Sequence, residues 1–149
     1  MTTGLLQDAI NLFHAELSPE TGIRAGLDTT DPLLSGALKL LEDYPLPPLR
    51  SARILALYFT IVLAMERHHA CHEAAPDSLT RQVLDGDYLY SLYLQMALKW
   101  KEYDFVSVLA PYIKKIQLKR AEGRPQDDLL LQGIACFMEL ARRKFDETG

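Results

Sequence analysis

The sequence has few cysteines, no strong excess of one charge and no apolar run long enough to cross a membrane. Its two cysteines, Cys71 and Cys136, are far apart in a chain of 149 residues, which favours reduced thiols over a disulfide framework. The net charge of −4 argues against a broad nucleic-acid-binding surface. The N-terminus has no basic segment followed by an apolar core. The longest apolar run, Ile54–Met65, is shorter than the ~20 residues of a membrane span. We therefore expect a cytoplasmic protein without a transmembrane segment and without a nucleic-acid partner.

Apolar residues make up 48% of the sequence and recur at helical spacing. No alternating strand pattern and no internal repeat is present, so we predict a single all-α domain, residues 1–149, of about six helices. The third helix is apolar on nearly every face and should be the centre of the bundle. The six helices are expected to run approximately over Leu5–Leu17, Pro32–Asp43, Leu49–His72, Asp77–Trp100, Phe105–Ala121 and Gln126–Lys144. Asp31 should cap the second helix, with Pro32 at its first position, and Asp77 or Ser78 should cap the fourth. In the fifth helix we expect Val106, Leu109, Ile113, Ile116 and Leu118 to point inward.

The fourth helix contains the most distinctive stretch, Val83–Tyr93, with one glycine, two acids and three tyrosines. We place Gly86 near the start of this helix, where it costs up to about 1 kcal/mol relative to alanine. That cost is tolerable if a neighbouring helix must pass close by. Beyond Gly86 the helix carries two largely apolar faces, so it should be covered on more than one side. An ordinary core helix and a helix shared with a partner both fit this pattern.

One cluster has the residue types of a metal site. His68, Cys71 and His72 lie at positions i, i+3 and i+4, on one face of a helix, and could offer three ligands to zinc. A fourth ligand, such as Cys136 or Glu66, would have to come from the fold. The alternative is a polar helix end whose histidines interact with the helix dipole, and we favour it because the spacing matches no paired-ligand motif. We therefore predict no metal bound by this chain.

The motifs of nucleophilic and phosphate chemistry are missing from the sequence. It has no Gly-x-Ser-x-Gly elbow and no glycine-rich phosphate loop. Asp127-Asp128 is followed by three leucines, so a third acid that would share a magnesium ion is lacking. Two adjacent acids at a helix start are explained by capping and by the helix dipole. The pattern favours a binding role over catalysis.

The segment Leu84–Ser91, which reads Leu-Asp-Gly-Asp-Tyr-Leu-Tyr-Ser, resembles the trans-polyprenyl diphosphate synthases. In that family the helix after the first aspartate-rich motif commonly begins with Gly-Asp-Tyr-Leu. The order of a buried helix, a polar linker, this helix and a later helix ending in the basic stretch Leu109–Lys119 is also similar. The resemblance covers about Leu49 to Arg120.

The departures from the family indicate which kind of relative this is. A catalytic member is about twice as long and carries two aspartate-rich magnesium motifs, whereas the buried helix here ends in Met65–His69 without an aspartate pair. Gly22-Ile23-Arg24 is only faintly similar to the family's diphosphate-binding Gly-Lys-x-x-Arg. Ionising an allylic diphosphate requires Mg²⁺ on the leaving group, which this chain cannot supply alone. The chain is similar to the small, non-catalytic subunit (component 1) of heterodimeric heptaprenyl or hexaprenyl diphosphate synthases.

This resemblance implies a fold like the first half of the isoprenoid synthase fold and a catalytic large subunit as the partner. The partner would bind Mg²⁺ and make the menaquinone side chain from farnesyl and isopentenyl diphosphates, and its product would bring the complex loosely near a membrane. This chain would bind no cofactor, would stabilise the partner and would help to set product length. The residues expected at the interface and product tunnel are Gly86, Asp87, Tyr88, Leu89, Leu92, Tyr93, Gln95 and Met96. Which face of the helix points outward stays open, and the alternative function is a helical metal-binding or adaptor protein with an unrelated partner.

Overall fold

The structure, a computed structural model, describes residues 2–23, 30–44, 46–70 and 75–148. Within these ranges the chain forms six α-helices, one short 3₁₀ turn at Pro19–Thr21 and no strand. The predicted all-α bundle of six helices is confirmed, while the relation to the isoprenoid synthase fold stays a prediction. The helices are α1 (Thr2–Glu16), α2 (Pro32–Asp43), α3 (Pro48–Ala70), α4 (Pro76–Lys99), α5 (Tyr103–Ala121) and α6 (Leu129–Thr148).

Helix α3 is the centre of the bundle, as its apolar surface predicts. Its side chains from Ile54 to Ala64 are all buried. Helices α1, α2 and α4 pack against it, and α6 packs against both α5 and α2. The segment Pro48–His69 has the length and mean hydropathy of a membrane span, but 72% of the 18-residue apolar window within it is buried inside the bundle. Here that apolar character belongs to the core helix of the bundle.

Most helix ends agree with the sequence signals, but the start of α4 differs. The carboxylate of Asp31 accepts the N–H of Leu33 and caps α2, with proline at the first helical position, as predicted. We expected Asp77 or Ser78 to cap α4. Instead Ala75 occupies the cap position without a side-chain bond, and Pro76 begins the helix. The proline signal therefore outweighed the capping residues that follow it.

Two other expectations are wrong, one about the buried side of α5 and one about the end of α6. Leu118 was expected to point inward from α5, but it is 53% exposed. It lies two positions after Ile116, which is buried, and two positions correspond to about 200° around a helix, so the two side chains point to opposite sides of α5. The basic residues 142–144 were expected to end the last helix. Helix α6 instead continues for another turn to Thr148.

Helices α4 and α5 end in the same type of turn, with different residues at its critical position. After α4 the N–H of Glu102 bonds the carbonyl of Ala97 at 2.8 Å, across Lys101, whose φ is +59°. After α5 the N–H of Arg124 bonds the carbonyl of Lys119 at 2.9 Å, across Gly123, whose φ is +76°. Both are Schellman turns, which favour glycine at the left-handed position. Only the turn at Lys101 places a side chain there.

Two arginine contacts hold the ends of α5 against α3. Arg50, near the start of α3, donates from Nε and Nη2 to the carboxylate of Glu102, whose side chain is 8% exposed. Arg120 donates to both carboxylate oxygens of Asp127 and, at 2.9 Å, to the carbonyl of Met65 near the end of α3. Charge-assisted bonds of this kind fix geometry as well as adding energy. They set the path of α5 across the bundle.

Two tyrosines are buried in the core, with different environments at their hydroxyl groups. The hydroxyl of Tyr58 donates to the carbonyl of Leu33 at 2.8 Å. The hydroxyl of Tyr93 has no hydrogen-bond partner in the described part of the chain. Burial raises the pKa of both groups well above the ordinary value for tyrosine; the charge of Asp31 adds to the rise of the Tyr58 pKa, and Tyr90 adds to that of Tyr93. Both side chains are therefore neutral over the physiological range.

Candidate functional site

The stretch of α4 that the sequence singles out packs against α3. Gly86 is buried, and a Cβ atom added to it would lie 2.3 Å from Cδ2 of His68. No real Cβ atom approaches another atom so closely. The neighbouring helix at Gly86 is α3, which fills this space with the side chain of His68. The predicted position of Gly86 is corrected, because α4 begins at Pro76 and Gly86 lies in its middle rather than near its start.

His68 and Asp87 form a pair at this crossing. Nε2 of His68 lies 2.9 Å from Oδ1 of Asp87, and both side chains are partly exposed. Of the candidate metal ligands, Cys71 and His72 lie outside the described residues. Within the described ranges no three histidine, cysteine or acidic side chains gather as a metal site would require. The contact that His68 makes in this structure therefore joins α3 to α4.

Cys136, named as a possible fourth ligand, is half-buried on α6 and faces α5. A hydrogen bond between its thiol and the Tyr112 hydroxyl raises the pKa of that tyrosine, and the charge of the thiolate adds to the rise. The pair lies where Gly133 of α6 packs closely against α5: a Cβ atom added to Gly133 would lie 2.8 Å from Leu109 and 3.1 Å from Tyr112. Cys136 thus belongs to the α5–α6 contact.

The inner face of α4 consists of Leu89, Leu92, Tyr93 and Met96, which are at most 3% exposed. All four were expected at a partner interface or product tunnel. They belong to the core of the chain itself, so a partner that binds this conformation would not touch them. Tyr88, from the same prediction, is half-buried, and its hydroxyl accepts the N–H of Ser18 at 3.0 Å. It ties α4 to the segment that follows α1.

The outer seam of α4 consists of Leu84, Ser91, Gln95 and Leu98, all of them exposed. Their spacings of seven, four and three residues place them on one stripe of the helix. Leu84 and Leu98 are each 60% exposed, the largest values among the exposed apolar side chains of the described residues. Of the residues expected at the interface, only Gln95 lies in this seam. The sequence prediction missed both leucines, because their helical spacing does not tell whether another helix covers them.

The four seam residues are uncharged, and the charged side chains of α4 near them form ion pairs. Arg81 lies 3.6 Å from Asp85 and also donates to the carbonyl of Thr21. Lys99 pairs with Glu16 at the end of α1. Asp87 contacts His68, so these exposed charges beside the seam are each paired, while the seam itself consists of two leucines and two uncharged polar residues. Depletion of charge is typical of the centre of a protein interface.

A cavity of about 440 Å³ opens beside the seam, between α3, α4 and α5. Its floor is apolar, from Ile61 and Ile113 among others, and Ser91 belongs to both its lining and the seam. The basic groups at its edge, His68 and Arg120, are already bonded to carboxylates. The cavity therefore provides a concave, apolar surface next to the outer seam of α4.

The structure also places the basic residues that the resemblance singles out. Lys114 and Lys115 are exposed on α5, and Lys119 lies 3.8 Å from Glu122. Gly22 ends the 3₁₀ turn with a φ of +66°, while Arg24 lies outside the described residues. These groups are not gathered with the outer seam into one site.

Comparisons of this chain with protein-family models, curated proteins and solved structures find no match. A function for the chain must therefore be argued from its residues, their helix order and the geometry of α4.

Proposed function

We propose that this chain is a non-catalytic subunit that binds a catalytic trans-polyprenyl diphosphate synthase through the outer seam of α4. The observation that carries the proposal is the pair Leu84 and Leu98, each 60% exposed, on the helix that bears the Gly86-Asp87-Tyr88 segment. By its resemblance to component 1 of the heterodimeric enzymes, the partner would be a heptaprenyl or hexaprenyl diphosphate synthase. The complex would be cytoplasmic, near the membrane that receives its product.

The geometry of the seam suits a partner helix. The small side chain of Ser91 lies midway between the two leucines, so a helix packed there can approach closely between two apolar contacts. Full burial of a leucine side chain contributes about 1.5–3 kcal/mol. Because both leucines are already partly covered, their remaining surfaces together would contribute on the order of 2–3 kcal/mol, a substantial share of a micromolar affinity.

The proposed roles of the two subunits follow from the metal-binding motifs that this sequence lacks. Prenyl transfer requires Mg²⁺ held by paired carboxylates, and these would belong to the partner's aspartate-rich motifs. This chain would stabilise the partner and shape the wall of its product tunnel. Since the inner face of α4 is buried in its own core, the side chains able to line that wall are Ser91 and Gln95, in place of Leu89 and Met96.

Reconstitution tests the proposal. The pure chain, incubated with farnesyl diphosphate, isopentenyl diphosphate and Mg²⁺, should show no prenyl transfer, because it lacks the metal-binding carboxylates. Mixing it with the aspartate-rich synthase encoded in the same genome should give a stable complex and a long-chain product, followed by chromatography of the labelled prenyl alcohols. Turnover by the pure chain, or failure of the two proteins to associate, would refute the assignment.

A further inference from the structure

A second, larger cavity lies outside the outer seam, and no residue of α4 lines it. This α5–α6 groove has a volume of about 1050 Å³. It is formed by residues near the end of α2 and the start of α3, by the first turns of α5 and by the second half of α6. Small-molecule sites are typically concave, mostly apolar and about 300–1,000 Å³ in volume. The groove therefore has the size of a small-molecule site.

The floor of the groove is apolar and recessed below an exposed rim. Phe137 and Met138 of the floor are each 2% exposed, whereas Tyr44 and Leu140 at the rim are 46% and 39% exposed. The other apolar residues of the lining are Leu46, Pro47, Pro48, Val108 and Ala141. A flat protein surface would contact the rim and leave the floor uncovered, whereas a small molecule can fill the space between them.

Two cations at the rim of the groove are already engaged by other groups of the chain. Nη2 of Arg142 lies 3.0 Å from a carboxylate oxygen of Glu139, and Nζ of Lys144 lies 2.6 Å from one of Asp104. The Arg142 guanidinium also lies 5.5 Å from the centroid of the Tyr44 ring, and both cations have further contacts. Neither cation is therefore free to hold an anionic group of a ligand.

The remaining polar groups of the lining do not favour an ionic ligand either. Arg50 pairs with Glu102, which is buried and would lose its compensating charge if Arg50 turned to a ligand. Asp43 has no ion pair within the described ranges, but it is exposed at the rim, where water solvates it. The hydroxyls of Tyr44 and Ser107 make no hydrogen bond within those ranges, and both are uncharged. An ion placed on the apolar floor would lose water without gaining a counter-charge, which is unfavourable.

We propose that the α5–α6 groove binds an uncharged, largely apolar small molecule, with a hydrocarbon body and at most one or two hydroxyl or carbonyl groups. The body lies against the floor that Phe137 and Met138 form. A hydroxyl or carbonyl group of the ligand forms a hydrogen bond with Ser107 or Tyr44 at the wall. The site shares no residue with the outer seam of α4, so it does not rest on the proposed function.

Displacement of an uncharged dye from the full-length chain tests the class of ligand. The dye is N-phenyl-1-naphthylamine, whose fluorescence rises in apolar sites. The competitors are adamantane-methanol, adamantane-carboxylate and adamantane-methylammonium, which share one compact body that keeps each head group close to the floor. The alcohol should displace the dye at concentrations at least about tenfold lower than either ion, a difference of about 1.4 kcal/mol. An ion as effective as the alcohol, or no displacement by the alcohol, would overturn the proposal.

Variants locate the binding to the groove. Leu140→Asp places a charge on its wall at an exposed side chain, so the fold should be kept while affinity for adamantane-methanol falls at least about tenfold. Val108→Phe, which fills the groove without adding charge, should also weaken binding. Leu118→Asp, at an exposed leucine of α5 outside the groove, is the matched control and should bind the alcohol normally. Affinity unchanged in both groove variants would overturn the proposal, whether or not the heterodimer forms.

The oligomeric state of the chain tests the other occupant of such a groove, a second copy of the chain. Sedimentation of the parent protein and of Leu140→Asp, each without ligand, should give the same mass. A parent dimer that Leu140→Asp dissociates would overturn the proposal, because the groove would then be filled by the second copy.

Discussion

The two faces of α4 differ in what covers them, although both carry leucine. Leu92, on the inner face, is 3% exposed and packs in the core, whereas Leu98, six residues later on the outer seam, is 60% exposed. The inner face supports the fold of this chain, and the outer seam is available to another molecule. A leucine on α4 thus stabilises the fold where other helices of the chain cover it, and it is available to a partner where they do not.

Charge placed on each face should give the largest contrast. Leu92→Asp buries an unpaired carboxylate and leaves a cavity, so the free energy of unfolding should fall by about 4 kcal/mol or more. Leu98→Asp, in solvent, should change it by no more than about 0.5 kcal/mol. Urea denaturation followed by circular dichroism measures both. Equal losses would mean that the two faces are not distinct.

This contrast also marks what the sequence could and could not predict. Helical periodicity and turn residues predicted the all-α fold, the central place of α3 and the Asp31 cap. Glycine at position 86 predicted a close helix contact. These features depend on short stretches of chain. Which face of α4 is covered depends on where α3 passes, and nothing local to residues 83–100 carries that information.

Contacts between distant residues were missed for the same reason. Arg50 and Glu102 are 52 positions apart, and each alone is an ordinary charged residue in the sequence. A cavity of about 1050 Å³ is lined by segments from residue 43 to residue 144, so no single segment of the sequence predicts it. His68 illustrates the reverse case: its spacing to Cys71 and His72 suggested a metal site, but the described contact is with Asp87 on another helix.

Removing the hydroxyl oxygen from each buried tyrosine compares Tyr93, on the inner face of α4, with Tyr58 on α3. Tyr58→Phe removes the hydrogen bond that the Tyr58 hydroxyl donates to the Leu33 carbonyl and should lower the free energy of unfolding by about 1 kcal/mol. Tyr93→Phe removes a buried hydroxyl without a partner and should be neutral or stabilising by up to about 1 kcal/mol. Thermal denaturation of both variants measures the difference. A loss in Tyr93→Phe as large as that in Tyr58→Phe would mean that the Tyr93 hydroxyl is bonded.

The same tyrosines predict how stability depends on alkaline pH. Burial raises the pKa of Tyr93 in the folded state above its unfolded value of about 10. The unfolded chain therefore loses this proton first. The stability that the neutral hydroxyl contributes is present below pH ~10 and is lost as the pH rises above it. Tyr93→Phe should lose less stability than the parent protein between about pH 9 and 11 in urea titrations. An identical decline would contradict this.

The turn that ends α4, just beyond the outer seam, should give the smallest effect. Lys101→Gly relieves a side chain at φ +59° and should raise the free energy of unfolding by about 0.5–1 kcal/mol. Gly123→Lys, in the matching turn after α5, should lower it by a similar amount. Both are measured by thermal denaturation. If Lys101→Gly destabilised the protein, the lysine side chain would have a stabilising contact that outweighs its backbone strain.

Binding of the catalytic partner to a seam variant tests the central claim most directly. The double variant Leu84→Asp/Leu98→Asp should fold as the parent does, because both side chains are exposed. Leu118→Asp, at an exposed leucine on α5, is the control and should bind normally. Measured by calorimetry with the purified synthase, the double variant should bind at least about a hundredfold more weakly, a loss of about 2.7 kcal/mol. Unchanged affinity in a folded double variant would show that the outer seam of α4 is not the partner-binding surface.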